Sequence, residues 1–343
     1  METRPRIVLT HWVHEEVIEL LRPHGEVVPN PSRETLSRAE FLRRSRDAEA
    51  LLVFMPDRVD EALLAQCPRL RIVAGAFKGA DNVDVVACSR RGVWVTVVPD
   101  LLTGPTAELA VGLLLALIRK ILPGDALVRG GDFQGWRPVL YGGTLQGKQV
   151  GVFGMGAVGQ AIARRLRGFE ARLLYADLRR LEPDREAELA LQFVTFDALL
   201  GECDHLILAA PLTSETFHRV SRGTLSRIRP GTTLVNVGRG SVVDEEAVAE
   251  AIRAGRLAGY AADVFEREDQ SRPDRPRDIA RTLLDLGERT VFTPHLGSAV
   301  DGARREIALA AARDIVQALR GDPPRDAVNS PRGTSGGGSG PEP

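Results

Sequence analysis

The stretch Val150-Gly-Val-Phe-Gly154-Met-Gly156-Ala-Val-Gly159, running on into Gln160 and the apolar-patterned residues to Leu166, decides the fold. A short apolar run at 150–153 reads as a buried strand, and 160–166 carries helical spacing. Between them, Gly154 and Gly156 permit a tight turn and close approach of a pyrophosphate to backbone amides, and Gly159 lets the helix lie against the strand. Such a glycine pattern is weak alone. Here Asp177 ends the next strand candidate, 18 residues past Gly159, where a carboxylate accepts adenosine ribose hydroxyls and repels a 2'-phosphate. Strand, loop, helix and acid together indicate a dinucleotide site over Gly154, Met155, Gly156, Ala157, Val158 and Gly159, with Asp177 favouring NAD. Arg179 and Arg180 follow; they are either a solvated pair or a partial seat for a phosphate, giving weaker use of NADP.

Outward from this motif, apolar runs at 149–153, 172–175, 205–209, 233–236, 257–262 and 290–292 alternate with helical patterns, enough for a complete doubly wound domain. A shorter series precedes it at 6–9, 50–54, 71–75 and 93–97, with helical stretches at 15–21 and 61–66. Pro99 and Pro105 then punctuate the chain before a helical run at 106–121, a candidate bridge or subunit interface. A last helical run, 302–319, cannot form a domain alone and is expected to return to the first one. The expectation is an α/β chain of two doubly wound parallel-sheet domains, a Rossmann-like cofactor domain inserted into a flavodoxin-like substrate domain. Residues 1–99 with 300–329 would form the substrate domain and 100–299 the NAD-binding domain. Residues 330–343, rich in Gly, Ser and Pro, would be a flexible tail.

Composition agrees with this reading. A chain of 343 residues has the length of about two domains. With 43% hydrophobic and 27% charged residues it resembles a globular protein, and no apolar run reaches the roughly 18 residues of a membrane span. A net charge of −1 supplies no basic field for nucleic acid. No secretory signal opens the chain, so a cytoplasmic protein is expected. Cys67, Cys88 and Cys203 are widely spaced and read as buried thiols rather than a disulfide or metal set. Among 45 basic residues the lysines are only Lys78, Lys120 and Lys148, a weak sign that a lysine is retained where arginine does not serve.

Three segments of the second series each follow a strand candidate: Asn236-Val-Gly-Arg239-Gly-Ser241, Asp263-Val-Phe-Glu-Arg-Glu268 and Thr293-Pro-His295-Leu-Gly-Ser298. The carboxyl ends of doubly wound strands face the ligand crevice, so an arginine, a carboxylate and a histidine converge there. Arg239 suits an anionic substrate, His295 suits proton transfer near neutral pH, and Glu268 suits orienting that histidine. Taken singly, Arg239 reads equally as a structural ion pair and Glu268 as a surface acid; the ordered triple behind the glycine motif is what carries the reading.

That order resembles the D-isomer-specific 2-hydroxyacid dehydrogenase family over essentially residues 5–329. The resemblance implies Arg239 as substrate-binding, His295 as acid/base and Glu268 as its partner, all catalytic, and a homodimer. It also implies cofactor contacts from Thr106, Pro211, Asp263 and Gly297. One departure stands out: Glu268 is followed by Asp269 and a longer insert, 270–289, where many members have Glu-Pro. Separate stretches around Met55, Lys78-Gly79, Trp136 and Arg239 resemble one branch, the phosphite (phosphonate) dehydrogenases. They imply phosphite oxidation, with hydride passing from phosphorus to NAD and water, activated by His295, as the oxygen source. Lys78, Gly79, Met55, Arg304 and Ser298 are then expected to bind phosphite, though Arg304 also reads as a helix-surface residue and Met55 as ordinary core. Trp136 and Tyr141 are either pocket-mouth or interface aromatics. Closure of the domains, with hinges near Pro99 and Gly297, is expected to exclude water. The alternative is a 2-hydroxyacid dehydrogenase or glyoxylate/hydroxypyruvate reductase using the same triple. A dinucleotide-sensing scaffold is a third class, disfavoured by the intact Arg239, Glu268 and His295.

Overall fold

In a computed structural model of the protein, residues 4–98 and 100–331 are described. The expected hinge residue Pro99 and the tail from residue 332 onward lie outside the described residues. Contacts divide the chain into two units, one built from the chain up to Leu102 and the chain from Asp301 onward, the other from Thr103–Val300. Both are α/β, each around a fully parallel sheet. Among the described residues no helix is long and apolar enough to cross a membrane.

The first unit's sheet has the order β2-β1-β3-β4-β5, with β1 Arg6–Leu9, β2 Glu26–Val28, β3 Ala50–Val53, β4 Ile72–Gly75 and β5 Trp94–Thr96. This is the flavodoxin-like order. β2 is absent from the strand candidates: it has three residues on the sheet edge, Glu26 exposed and Val27 and Val28 half-buried, too few for a readable apolar period. The helix Asp301–Arg320 completes this unit, placing Ile307, Ala308, Ala311, Ala312 and Ile315 against Ile7, Leu9 and Ile72. Beyond it the chain hydrogen-bonds to the β5 segment: Val97 donates to the carbonyl of Asp326 (3.2 Å), Val328 to that of Val95 (2.9 Å), and Asn329 Oδ1 accepts from Val95 (2.8 Å).

The second unit's sheet runs β12-β11-β10-β9-β6-β7-β8. Its strands are β6 Gln149–Phe153, β7 Arg172–Ala176, β8 Leu191–Phe193, β9 His205–Leu208, β10 Thr232–Asn236, β11 Leu257–Ala262 and β12 Thr290–Phe292. β6 and β9 are neighbours, so the connection reverses direction between them, at the topological switch point. The unpredicted β8 is again a three-residue edge strand. The long helix begins at Thr103 rather than 106, because Pro105 in a first turn forfeits no intrahelical bond, and it ends at Ile118. Lys120 adopts φ 55°, and a separate helix Ile121–Arg129 follows. Ala107, Ala110, Val111, Leu114 and Leu117 of the long helix share a core with Val150, Val152 and Ile162. The three cysteines are buried, which pushes their thiols up to about 11 for Cys67 and about 12 for Cys88 and Cys203.

Ile315 is fully buried between the last helix and the first sheet. Ile315→Ala should cost about 2–5 kcal/mol through lost transfer energy and a residual cavity, read as a lowered denaturation midpoint. A loss below about 1 kcal/mol would mean that the returning helix does not hold that core.

Candidate active site

The glycine loop sits where β6 meets its helix, Ala157–Leu166, and its three glycines serve different ends. Gly154 has φ 94°, and a Cβ there would lie 2.6 Å from the Ala210 amide nitrogen; on Gly159 it would lie 2.1 Å from the Gly154 carbonyl oxygen. Both are required by close packing of the chain on itself. Gly156 is different: a Cβ there meets nothing within 4 Å, and it opens the helix with no side-chain cap. Bare amides at a helix start beside open space fit a pyrophosphate. Gly156 and Ala157 are exposed and Val158 half-exposed, whereas the Met155 side chain is buried in the core and offers this loop its backbone. Asp177, just past the end of β7, braces the loop by accepting the amide of Met155 (2.5 Å) on one oxygen and that of Arg179 (3.3 Å) on the other. Arg180 turns away: it grips Glu186 in a two-point contact (2.9 and 2.8 Å) and lies over the Phe193 ring. Pro211, after β9, is exposed next to Ala210, the residue against which Gly154 packs.

The chemistry-bearing residues follow the next three strands. Asn236 of β10 pairs in register with Ala262 of β11, which pairs with Phe292 of β12, so Arg239, Glu268 and His295 all leave neighbouring strand ends. Asn236 turns the first loop, its Nδ2 donating to the Arg239 carbonyl (2.9 Å) and its Oδ1 accepting from Gly238 (3.1 Å). Gly240 then meets the second loop so closely that a Cβ would fall 1.9 Å from the Phe265 carbonyl carbon. Only glycine allows the arginine loop to touch the backbone that leads to Glu268. Glu268 Oε1 accepts the Phe265 amide (2.8 Å), and Glu268 Oε2 meets His295 Nδ1 at 2.6 Å. The short contact on Nδ1 fixes the ring and leaves Nε2 to exchange a proton with a ligand.

His295 itself is held in the left-handed region at φ 57°, its amide donating to the carbonyls of Asp263 (2.9 Å) and Thr293 (3.0 Å). The buried Asp263 carboxylate organises this turn. It accepts the Thr293 hydroxyl (2.5 Å) and the amides of Leu296 (2.6 Å) and Gly297 (2.8 Å). Burial pushes its carboxyl up, against the pull of Thr293, Leu296, the His295 charge and Gly297. A Cβ on Gly297 would come within 3.1 Å of Thr106 Oγ1 and 3.2 Å of Asp263 Oδ2, so Thr106, Asp263 and Gly297 form one cluster; Ser298 beside them is buried. The residues that sequence reasoning passed over are Thr293 and Ser241, both inside quoted motifs, and Arg272 in the insert.

In the first unit, by itself, the expected substrate residues gather after β3 and β4. Met55 is half-buried, its carbonyl accepting from Asn82 Nδ2. Arg304, on the last helix, donates to the Ala76 carbonyl (3.3 Å) and lies over the Phe54 ring at 5.2 Å. Lys78 and Gly79 follow Ala76; burial holds the Lys78 ammonium below its ordinary value, with Asp100 at 3.9 Å opposing the shift. Trp136 and Tyr141, in the second unit, are strongly exposed, at 84% and 75%.

Residues 111–297 match the family described as D-isomer specific 2-hydroxyacid dehydrogenase, NAD binding domain. The chain is 38% identical over 331 residues, 95% of its length and 96% of the relative's, to a glyoxylate reductase of Thermococcus gammatolerans. It resembles the solved TT0316 protein from Thermus thermophilus (TM-score 0.85, 34% identity, 94% of this chain and 100% of that one). It also resembles an NADPH-dependent glyoxylate/hydroxypyruvate reductase from Sinorhizobium meliloti, solved with NADP and malonate (TM-score 0.80, 30% identity, 95% and 97%). These relatives overturn the expectation of phosphite oxidation and favour the alternative, a 2-hydroxyacid dehydrogenase or glyoxylate/hydroxypyruvate reductase. The physical reason is that the likenesses quoted for the phosphite branch include Lys78 and Arg239, cationic side chains that suit a carboxylate as much as a phosphorus oxyanion. Matched over its cofactor domain and aligned along nearly its whole length, the chain belongs to the D-isomer specific 2-hydroxyacid dehydrogenase family and carries that family's NAD-binding domain.

Proposed function

We propose that the protein reduces a small 2-oxoacid, glyoxylate or hydroxypyruvate, to the 2-hydroxyacid. The observation that carries this reading is the 2.6 Å contact between His295 Nδ1 and Glu268 Oε2, on strand ends adjoining the loop of Arg239. A reduced nicotinamide, when bound, supplies the hydride. Arg239 binds the carboxylate of the oxoacid with its planar fork and draws the carbonyl toward positive charge. His295 Nε2 gives its proton to the carbonyl oxygen as the alcohol forms, and Glu268 holds the imidazolium that precedes this step. Unlike phosphite, the oxoacid brings its own oxygen, so no water need be activated. Lys78, Gly79, Met55, Arg304 and Ser298 are assigned to substrate binding, and the cluster of Thr106, Pro211, Asp263 and Gly297 to the cofactor.

Asp177 supports NAD as the preferred cofactor, since its carboxylate would face a 2'-phosphate as a like charge. With Arg180 committed to Glu186, residual NADP use falls chiefly to the exposed Arg179. A homodimer is proposed on a separate observation, the exposed apolar side chains Ile121, Leu122, Val128, Phe133, Trp136, Val139 and Tyr141.

Oxidation of NADH by purified protein with glyoxylate or hydroxypyruvate tests the reaction. His295→Asn should lower kcat by about 10²–10⁴-fold; no turnover of either oxoacid by the wild type would refute the reading. Asp177→Ala should narrow the NADH preference in kcat/KM by about tenfold or more, and an unchanged ratio would remove Asp177 from cofactor choice. In light scattering the protein should run as a dimer and the Phe133→Glu, Trp136→Glu double variant as a monomer. A monomeric wild type would contradict the proposed assembly.

A further inference from the structure

The turn that carries Glu268 continues into the insert with two contacts back to the arginine loop, one buried and one partly buried. Asp269 is 6% exposed, and its Oδ2 accepts the amide of Ser241, two residues past Arg239, at 2.7 Å. Burial pushes its carboxyl up, while Ser241 and the charge of Arg239 pull it down. Three residues on, Arg272 Nη1 reaches both Ser241 Oγ (2.9 Å) and Glu266 Oε2 (3.1 Å). Its guanidinium lies over the Phe217 ring at 4.3 Å, and its Nη2 meets Asp274 at 3.1 Å. Glu266 is braced in turn: it and Glu245 each accept the other's backbone amide (3.2 and 2.8 Å), and it meets His218 Nε2 at 2.8 Å.

Ser241 is thus held at its amide by Asp269 and at its hydroxyl by Arg272, and both holders lie on the strand-β11 side of the Gly240 contact. A loop that is free to slide would let the Arg239 fork drift relative to the Glu268–His295 pair. Displacement of about 1 Å can cost a hundredfold in rate. Most of the bonds are charge-assisted and at least partly buried, the Asp269–Ser241 bond fully so, and such bonds resist drift where exposed ion pairs do not.

We propose that Asp269 and Arg272 are positioning residues for the reaction, clamping the loop of Arg239 to the turn of Glu268 through the amide and hydroxyl of Ser241. This deepens the function proposed above and rests on Arg239 as the carboxylate-binding group. Neither residue is assigned a contact with substrate or cofactor. Arg272 requires a fork, because one guanidinium serves Ser241, Glu266 and Asp274 at once; a lysine ammonium keeps the charge without that geometry.

The test compares Asp269→Asn, Arg272→Lys and Arg272→Ala with the wild type in glyoxylate kinetics, NADH binding, thermal melting and hydrogen exchange of residues 237–245. For Asp269→Asn and Arg272→Ala, KM for glyoxylate should rise about tenfold or more with a smaller fall in kcat. NADH affinity should hold, exchange of the segment should quicken, and Arg272→Lys should fall between Arg272→Ala and the wild type. Kinetic constants within about twofold of wild type, or unchanged exchange, would overturn the clamp. If Arg272→Ala does not fold, the other two variants carry the same readouts. A wild type inactive on oxoacids refutes the substrate reading alone, and the exchange rates then decide the clamp.

Discussion

Register along β10, β11 and β12 governs the site. Once Asn236, Ala262 and Phe292 lie side by side in a parallel ladder, the loops that follow have no choice of neighbour, and their lengths decide which atoms meet. Asn236 commits its amide to a turn that brings Gly240 against the Phe265 carbonyl. The following 3-10 turn, Glu266–Glu268, swings Glu268 back so that one oxygen caps its own turn and the other reaches His295. The left-handed backbone of His295 is the cost of that meeting, and the bonds to Asp263 and Thr293 offset it. A one-residue slip of β11 against β12 would separate the pair, and a slip of β10 would shift Arg239 against it.

Buried carboxylates do the bracing. Asp263, Glu266 and Asp269 are each less than a tenth exposed, yet each is surrounded by donors: two amides and a hydroxyl for Asp263, Ser241 for Asp269, and Arg272, His218 and the Glu245 amide for Glu266. Stripped of those donors, such groups would be costly to bury. Burial pushes the Glu245 carboxyl up to about 7, with the adjacent Glu266 adding to the rise and the amides of Glu266 and Ala280 opposing it. The exposed end of the system, the 28% exposed His295 ring with Glu268 at 31%, therefore stands on a rigid polar base rather than on an apolar one.

Fold class was legible because ten of the strands are apolar runs long enough, or placed regularly enough, to show a period, and because Gly154, Gly156, Gly159 and Asp177 tie the second series to one loop geometry. What escaped reading was short or polar. The edge strands β2 and β8 have three residues each and bury few side chains, so hydropathy does not mark them. Nor does spacing along the chain reveal that Ser241 and Asp269 share a hydrogen bond across 28 residues, or that Arg180, near Asp177 in sequence, directs its charge to Glu186. Long-range polar contacts depend on where strands end in space, which a one-dimensional pattern does not contain.

The substrate was the point at which motif likeness and chemistry parted. An arginine fork, a retained lysine and a histidine paired with glutamate describe an anion next to a proton exchange, and they describe it equally for a phosphorus oxyanion and for a carboxylate. What separates the two is the oxygen. A phosphorus substrate requires a held and deprotonated water, whereas an oxoacid presents a carbonyl that needs a proton donor at one atom. The 2.6 Å contact found here orients the His295 ring and leaves Nε2 as the nitrogen that exchanges a proton, a role that a carbonyl oxygen can use directly. The choice of the oxoacid as the proposed substrate therefore leans on whole-chain similarity to glyoxylate reductases, and the local chemistry of His295 is compatible with it.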